Sequence, residues 1–312
     1  MNPRPPLIVA EIGAGGGPSQ RWASVCPDYH AILVDPDPRA GGLESGPNRT
    51  IIRSLLLDRS GEADFHLYRA QPLSSVYPPN TTLLESLLRP EQVDAFRIQE
   101  TRVLPCDTLD HQLTESGIGD ADMLKIDVEG AELKVLLGAS SVVRSAVGVE
   151  IEFAFLPVRE GQPRFGAIDE LLTSAGYELF DIEKSYFLRK GTGEYGRIKG
   201  QAIFGIGLYF VPPERLVQRK AISPEKLLAA CYAYMAYGYY DIAETLLRLM
   251  HDEGLRLEEE VWIRSALRQR QRGFYIPRFT GREKLHRILA RLTRALGPEG
   301  KNLVDPGVGN RW

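Results

Sequence analysis

Two short stretches of carboxylates and glycines carry the chemistry that this sequence offers. The first is Leu7 to Gly17, LIVAEIGAGGG, in which Glu11, Gly13, Gly15 and Gly17 alternate with other residues. Glycines after an apolar run let the backbone take φ > 0 and approach a ligand with no Cβ in the way. The next apolar run, Ala31 to Val34, stops at Asp35. An acid at a second strand tip, about 20 residues past the glycines, is placed to bind ribose hydroxyls. The second stretch is Asp122 to Ala139, DMLKIDVEGAELKVLLGA. Its Asp127 and Glu129 fall at the C-terminal edge of a strand, where open parallel sheets bind ligands. There they face the same crevice as Glu11 and Asp35, and a carboxylate in that place can take a proton from a hydroxyl.

Spacing decides which ligand the glycines suit. A dinucleotide fingerprint, G-x-G-x-x-G counted from Gly13, would need glycine where Pro18 stands. The pattern present, Glu11-x-Gly13-x-Gly15-x-Gly17, resembles motif I of the class I S-adenosylmethionine (SAM) methyltransferases. A pyrophosphate wants a helix N-terminus and bare N–H groups. SAM has no phosphate; it has an ammonium and a sulfonium, which an acid such as Glu11 attracts. The resemblance implies a SAM site lined by Glu11, Gly13, Gly15, Gly17 and Asp35, with Asp58 near the adenine.

The elements that must hold these residues follow from the pattern. Leu7 to Ala10 and Ala31 to Val34 read as buried parallel strands. Ser19 to Val25 is a short helix capped by Ser19, and Arg39 to Asn48 is a loop. Thr50 to Leu57 reads as a third strand ending at Asp58. Ala63 to Tyr68 and Arg97 to Leu104 alternate as strands do, and Asp107 or Thr108 caps the helix after them. Met123 to Ile126 is a strand and Ala131 to Leu137 a helix, with Glu132 in its first turn. Val147 to Phe155, Tyr177 to Arg189 and Ala202 to Val211 are further strands, with a helix from Ile168 to Ala175. Strand–helix alternation predicts an α/β fold with a mostly parallel sheet, and the last two strands add an antiparallel edge. Pro212-Pro213 stops the sheet.

Beyond it the character changes. Leu227 to Met250 has helical periodicity broken at Gly238-Tyr239-Tyr240, and Val261 to Gln271 and Lys284 to Leu296 are further amphipathic helices. The expected organisation is a sheet domain over 1–213 and an all-helical appendage over 214–312. One helical hairpin cannot support a repeat array, so packing on the sheet is favoured over a partner module. A protein contact through these helices is the remaining partner reading.

Composition narrows the class. The chain has 312 residues, 43% hydrophobic and 25% charged, with a net charge of −3. That is an ordinary globular balance, with no general affinity for nucleic acid or anionic membrane. Three scattered cysteines, Cys26, Cys106 and Cys231, and the lack of a secretory or membrane segment lead to a cytoplasmic expectation. Asp127, Glu129 and Glu152 offer oxygen ligands of the kind Mg²⁺ takes. Acids at strand ends occur without metal, and no metal is assigned.

The second stretch carries a closer likeness. LKIDVEGAELKVLLGA, together with LLLDRSGEADFHL, Ser74-Ser75, VLPCDTLDHQL and Asp35-Pro36-Asp37-Pro38, resembles the FkbM-type SAM-dependent methyltransferases over roughly Ile8 to Phe155, in that family's order. The resemblance implies a Rossmann-like class I methyltransferase sheet, SAM as methyl donor, and O-methylation of a hydroxyl on a sugar or natural product. The acceptor is then a small molecule or glycan. Asp127 would sit beside the transferred methyl, with Glu129 beyond it toward the acceptor. The competing readings are an NAD-linked oxidoreductase, opposed by Pro18, and a non-catalytic scaffold of the same fold, opposed by the intact Glu11, glycines, Asp35 and Asp127.

Overall fold

The computed structural model describes residues 5–187, 200–219 and 222–271. In chain order, β1 (Ile8–Ile12), α1 (Gln20–Ala23), β2 (His30–Val34) and β3 (Arg49–Ile52) open the fold. An inserted unit follows: β4 (Leu55–Leu56), β5 (Gly61–Tyr68), α2 (Thr81–Leu87), α3 (Pro90–Ala95) and β6 (Ile98–Asp107). Next come α4 (Leu109–Glu115), β7 (Met123–Ile126), α5 (Glu132–Leu137), α6 (Ser140–Ser145), β8 (Gly148–Ala154) and α7 (Phe165–Ser174). Then β9 (Glu178–Phe187) and β10 (Gln201–Phe210) close the sheet. The helices α8 (Pro213–Gln218), α9 (Pro224–Ala236), α10 (Tyr240–Asp252) and α11 (Glu260–Gln271) follow.

Seven strands form the main sheet in the order β3-β2-β1-β7-β8-β10-β9. The first five run parallel, and β10 pairs antiparallel with both β8 and β9. This is the predicted mostly parallel α/β sheet with an antiparallel edge. All five residues of β1 are buried, because it lies in the middle of the sheet with helices on its faces. Strand order reverses between β1 and β7, and a crevice opens there beyond the strand tips.

One element departs from expectation. Thr50 to Leu57 is not a single strand: β3 ends at Ile52, and Leu55–Leu56 joins a separate three-stranded sheet, β4-β6-β5. The apolar run masks a break at Arg53-Ser54, where the chain leaves one sheet for another. The predicted caps do form. Ser19 accepts from the backbone N–H of Arg21, and Thr108 accepts from that of His111 at 3.2 Å.

The helices after β10 share the main hydrophobic cluster with the sheet, which runs from Leu7 through Val211 to Leu267. Leu227 to Met235 are all buried in α9, as in a helix enclosed on every side. The Tyr234 hydroxyl donates to the Val211 carbonyl. Lys226 Nζ pairs with Asp120 at 2.6 Å and Asp122 at 2.8 Å, and Asp122 accepts the N–H of Ile8 at the start of β1. Deleting residues from Ser223 onward is therefore expected to expose this apolar face, withdraw the ammonium from buried Asp122 and give insoluble protein. Expression and sedimentation check it, and a soluble truncation with full activity would mark the helices as a detachable module. The helix predicted over Lys284 to Leu296 lies outside the described residues.

Candidate active site

The crevice is lined by Ile12, Gly13, Gly15 and Asp35 on the β1–β2 side and by Asp127 to Glu129 on the β7 side. Ser54 to Leu56, Phe65, Gln71, Ser74 and Val76 of the inserted unit close it. Gly13 has φ of +80°, and a Cβ there would fall 1.7 Å from the Asp127 carbonyl oxygen. Its N–H donates to the Val34 carbonyl at 2.8 Å. The glycine thus lets three strand ends meet. Gly15 faces Asp35 and Gln71, with space for a Cβ only 3.2 Å from the Asp35 carboxylate.

Asp35 is buried at the β2 tip. Its Oδ1 accepts the Asp37 N–H at 2.8 Å, and the Gly15 N–H is also bonded to the carboxylate. Burial raises its pKa against these bonds. Asp37 is held below the usual carboxylate range, since the Arg39 guanidinium outweighs the effect of burial. Arg39 binds Asp37 with two nitrogens and reaches the Ser74 hydroxyl at 2.8 Å and the Tyr68 carbonyl at 3.0 Å. This latches the β2 tip to the inserted unit.

Three expected cofactor residues stand elsewhere. Glu11 does not reach the cavity wall: its carboxylate accepts the Ser19 N–H at 3.0 Å and holds the end of the glycine loop. Gly17 packs on the backbone of Gly42, with 3.1 Å from its Cβ position to the Gly42 oxygen. Asp58 is exposed on the turn after β4, beside Arg59, because β4 has already left the main sheet. Its place in the wall is taken by Ser54, Leu55 and Leu56.

On the β7 side, the Asp127 N–H donates to the Ile12 carbonyl at 3.0 Å, which ties the two strand ends together. Glu129 is the one non-glycine residue among those described with positive φ, at 59°. Such a conformation costs roughly 1–2 kcal/mol, and the surroundings impose it. The Ser75 hydroxyl donates to the Glu129 carbonyl at 2.7 Å, and Glu132 reaches back to the N–H groups of Val128 and Gly130 at 3.2 and 2.9 Å. Glu132 stands in the first turn of α5 as expected and also shapes the turn before it, and burial pushes its pKa up to about 7.

The fully buried Arg159, on the loop after β8, bonds the Glu129 carboxylate and the Leu73 carbonyl. Nothing in the spacing of the sequence singles it out. Parallel pairing of Ile126 with Ile151 sets Asp127 beside Glu152, and their carboxyls are hydrogen-bonded. Burial raises the pKa of both, that of Glu152 strongly. Asp127, Glu129 and Glu152 bring oxygens within 4.8 Å of one another. A divalent ion among them would meet the Arg159 guanidinium already seated on Glu129, and this donor set does not fit one as it stands.

Residues 11–179, more than half of the chain, match the methyltransferase FkbM domain family. The chain belongs to that family. FkbM membership agrees with the sheet order and with the motif at Asp122 to Ala139. The chain is also similar to the 2-O-methyltransferase NoeI of Sinorhizobium fredii, with 23% identity over 177 residues, 55% of this chain and 73% of that protein. Among solved structures, a putative prophage-encoded DNA modification methyltransferase (E. coli) overlaps with a TM-score of 0.31 and 12% identity, over 70% of this chain. The overlap spans about half, 49%, of that chain. A 16S rRNA (adenine(1408)-N(1))-methyltransferase from Catenulisporales acidiphilia, solved as a mutant with cosubstrate SAM, gives 0.28 and 12%, over 67% of this chain and 87% of that one. Overlaps this loose say nothing of substrate. Among the described residues, no helix is long and apolar enough to cross a membrane.

Proposed function

We propose that this FkbM-family methyltransferase uses SAM to methylate a hydroxyl of a sugar or natural product. The observation that carries the reading is the crevice itself. A glycine-lined wall ending in Asp35 stands opposite Asp127, whose carboxyl bonds Glu152. The similarity to NoeI, a 2-O-methyltransferase, supports a hydroxyl acceptor.

The glycine cradle fits a nucleoside: a Cβ at Gly13 would strike the Asp127 carbonyl oxygen, one at Gly15 would crowd the Asp35 carboxylate, and Asp35 is placed for ribose hydroxyls. When bound, SAM supplies a methyl on a positively charged sulfur. Asp35 and the backbone of Gly13 and Gly15 hold the nucleoside end. Asp127 faces the acceptor and takes its hydroxyl proton at a carboxylate oxygen, while Glu152 and the Arg159-bound Glu129 fix its position. Because displacement at a methyl needs alignment above all, the rigid ties from Ile12, Ser75 and Arg159 are what the fold contributes.

The deciding experiment is transfer of labelled methyl from SAM to pooled glycans and metabolites, with the product identified by mass spectrometry. A methyl ether on a sugar hydroxyl is expected. Label on nitrogen or carbon would overturn the acceptor class. Asp35→Ala should weaken SAM binding by about 1–3 kcal/mol, through loss of a charge-assisted hydrogen-bond pair. Calorimetry measures this directly, and unchanged affinity would remove Asp35 from the cofactor site.

A further inference from the structure

The helical segment beyond the sheet reaches the glycine loop through a buried contact set that methyl transfer does not use. Tyr237, the residue that closes α9, is 2% exposed. Its hydroxyl donates to Glu150 Oε2 at 2.8 Å, and the same oxygen accepts Nη1 of Arg21 at 2.8 Å. The Arg21 guanidinium lies 4.0 Å from the centroid of the Tyr237 ring, and Trp22 meets that ring edge-on at 5.5 Å.

Arg21 and Trp22 are half of α1, which has four residues. A helix that short cannot hold itself, since nucleation is unfavourable and tertiary packing supplies the stability. Yet α1 is what receives the glycine loop. Its cap residue, Ser19, is bound through its N–H to Glu11. A second route leads to the same place. Glu11, Lys125 and Glu150 stand side by side in register across β1, β7 and β8. Both routes start at Glu150 and end on the Gly13–Ser19 segment.

A core position filled only for volume would take Leu or Phe. A buried tyrosine hydroxyl is costly unless it is used, and here it is used on a buried carboxylate that already holds α1. We infer that Tyr237 is a positioning residue for the cofactor loop, so that the C-terminal helical region is part of the SAM site. This rests on the reading of the crevice as that site.

The test compares the full-length protein with Tyr237→Phe, Tyr237→Leu and Leu246→Val, the last a cavity in α10, which packs chiefly on α8, α9 and α11. Affinity for S-adenosylhomocysteine is measured by calorimetry and melting temperature by scanning fluorimetry. Tyr237→Phe keeps the ring and loses the bond to Glu150, so binding should weaken about threefold to tenfold. Tyr237→Leu also loses the ring under Arg21, and binding should weaken by about tenfold to a hundredfold. Leu246→Val should lower the melting temperature and leave affinity unchanged. Wild-type affinity in both Tyr237 variants overturns the inference alone, and so does affinity that falls in step with melting temperature across all three. Should Tyr237→Leu fail to fold, Tyr237→Phe decides. No binding by the unaltered protein overturns the cofactor reading and this inference with it.

Discussion

Gly13→Ala is expected to abolish SAM binding and to destabilise the protein markedly. Two effects add at this position. With φ of +80°, any L side chain carries a strain of about 1–2 kcal/mol. The new methyl would then sit 1.7 Å from the Asp127 carbonyl oxygen, which is backbone and cannot swing aside. To relieve the clash, β1 and β7 must part where Asp127 N–H bonds Ile12, and the crevice between them distorts. Gly16→Ala separates the two effects: its φ is +112°, but nothing lies within 4 Å of the added carbon. It should lose stability by the conformational share alone. Calorimetric titration with SAM and thermal melting of both variants measure the difference. Wild-type affinity in Gly13→Ala would show that the crevice is not the cofactor site.

The part of the site that lies on strand tips was legible in the sequence, because alternation and glycine spacing are local properties. Gly13, Gly15, Asp35, Asp127 and Glu129 all line the crevice, and Ser19 and Thr108 cap the helices they precede. What was missed depends on contacts distant in sequence. Asp58 went astray because Leu55–Leu56 continues an apolar run while pairing with β6, and pairing partners leave no mark on a single strand. Glu11 matches a motif for ligand binding, yet its carboxylate is taken by the N–H of Ser19. Arg159 lies in a loop with no periodicity, and only the fold brings it to Glu129 across 30 residues of chain. Gln71 and Ser74 reach the cavity because the inserted unit folds over it, a placement that no spacing encodes. Tyr237 falls within the helical run Leu227 to Met250, and no spacing singles it out. Its bond to Glu150 spans 87 residues.

Asp127→Asn is expected to cut methyl transfer by roughly 10²–10⁴-fold, the range for loss of a positioned general base, with SAM affinity nearly intact. Asparagine has the same shape, can still bond Glu152 and leaves the Asp127 backbone tie to Ile12 in place, so the cradle is undisturbed. It cannot take the acceptor proton. The pH dependence gives an independent readout. Burial holds the Asp127 pKa above the ordinary carboxylate value, with Glu150 nearby adding to the rise and Lys125, Glu152 and Arg159 opposing it. A base must be deprotonated to act, so the wild-type rate should climb with pH through a limb lying above the usual carboxylate range. In Asp127→Asn that limb should vanish, and the residual rate should be flat across it. Turnover measured at saturating SAM, with the acceptor identified by the labelling screen, decides the matter. Retained turnover with the limb still present would assign the proton to another group. Lost SAM binding would instead place Asp127 among the residues that hold the cofactor, with its carboxylate facing the donor rather than the hydroxyl.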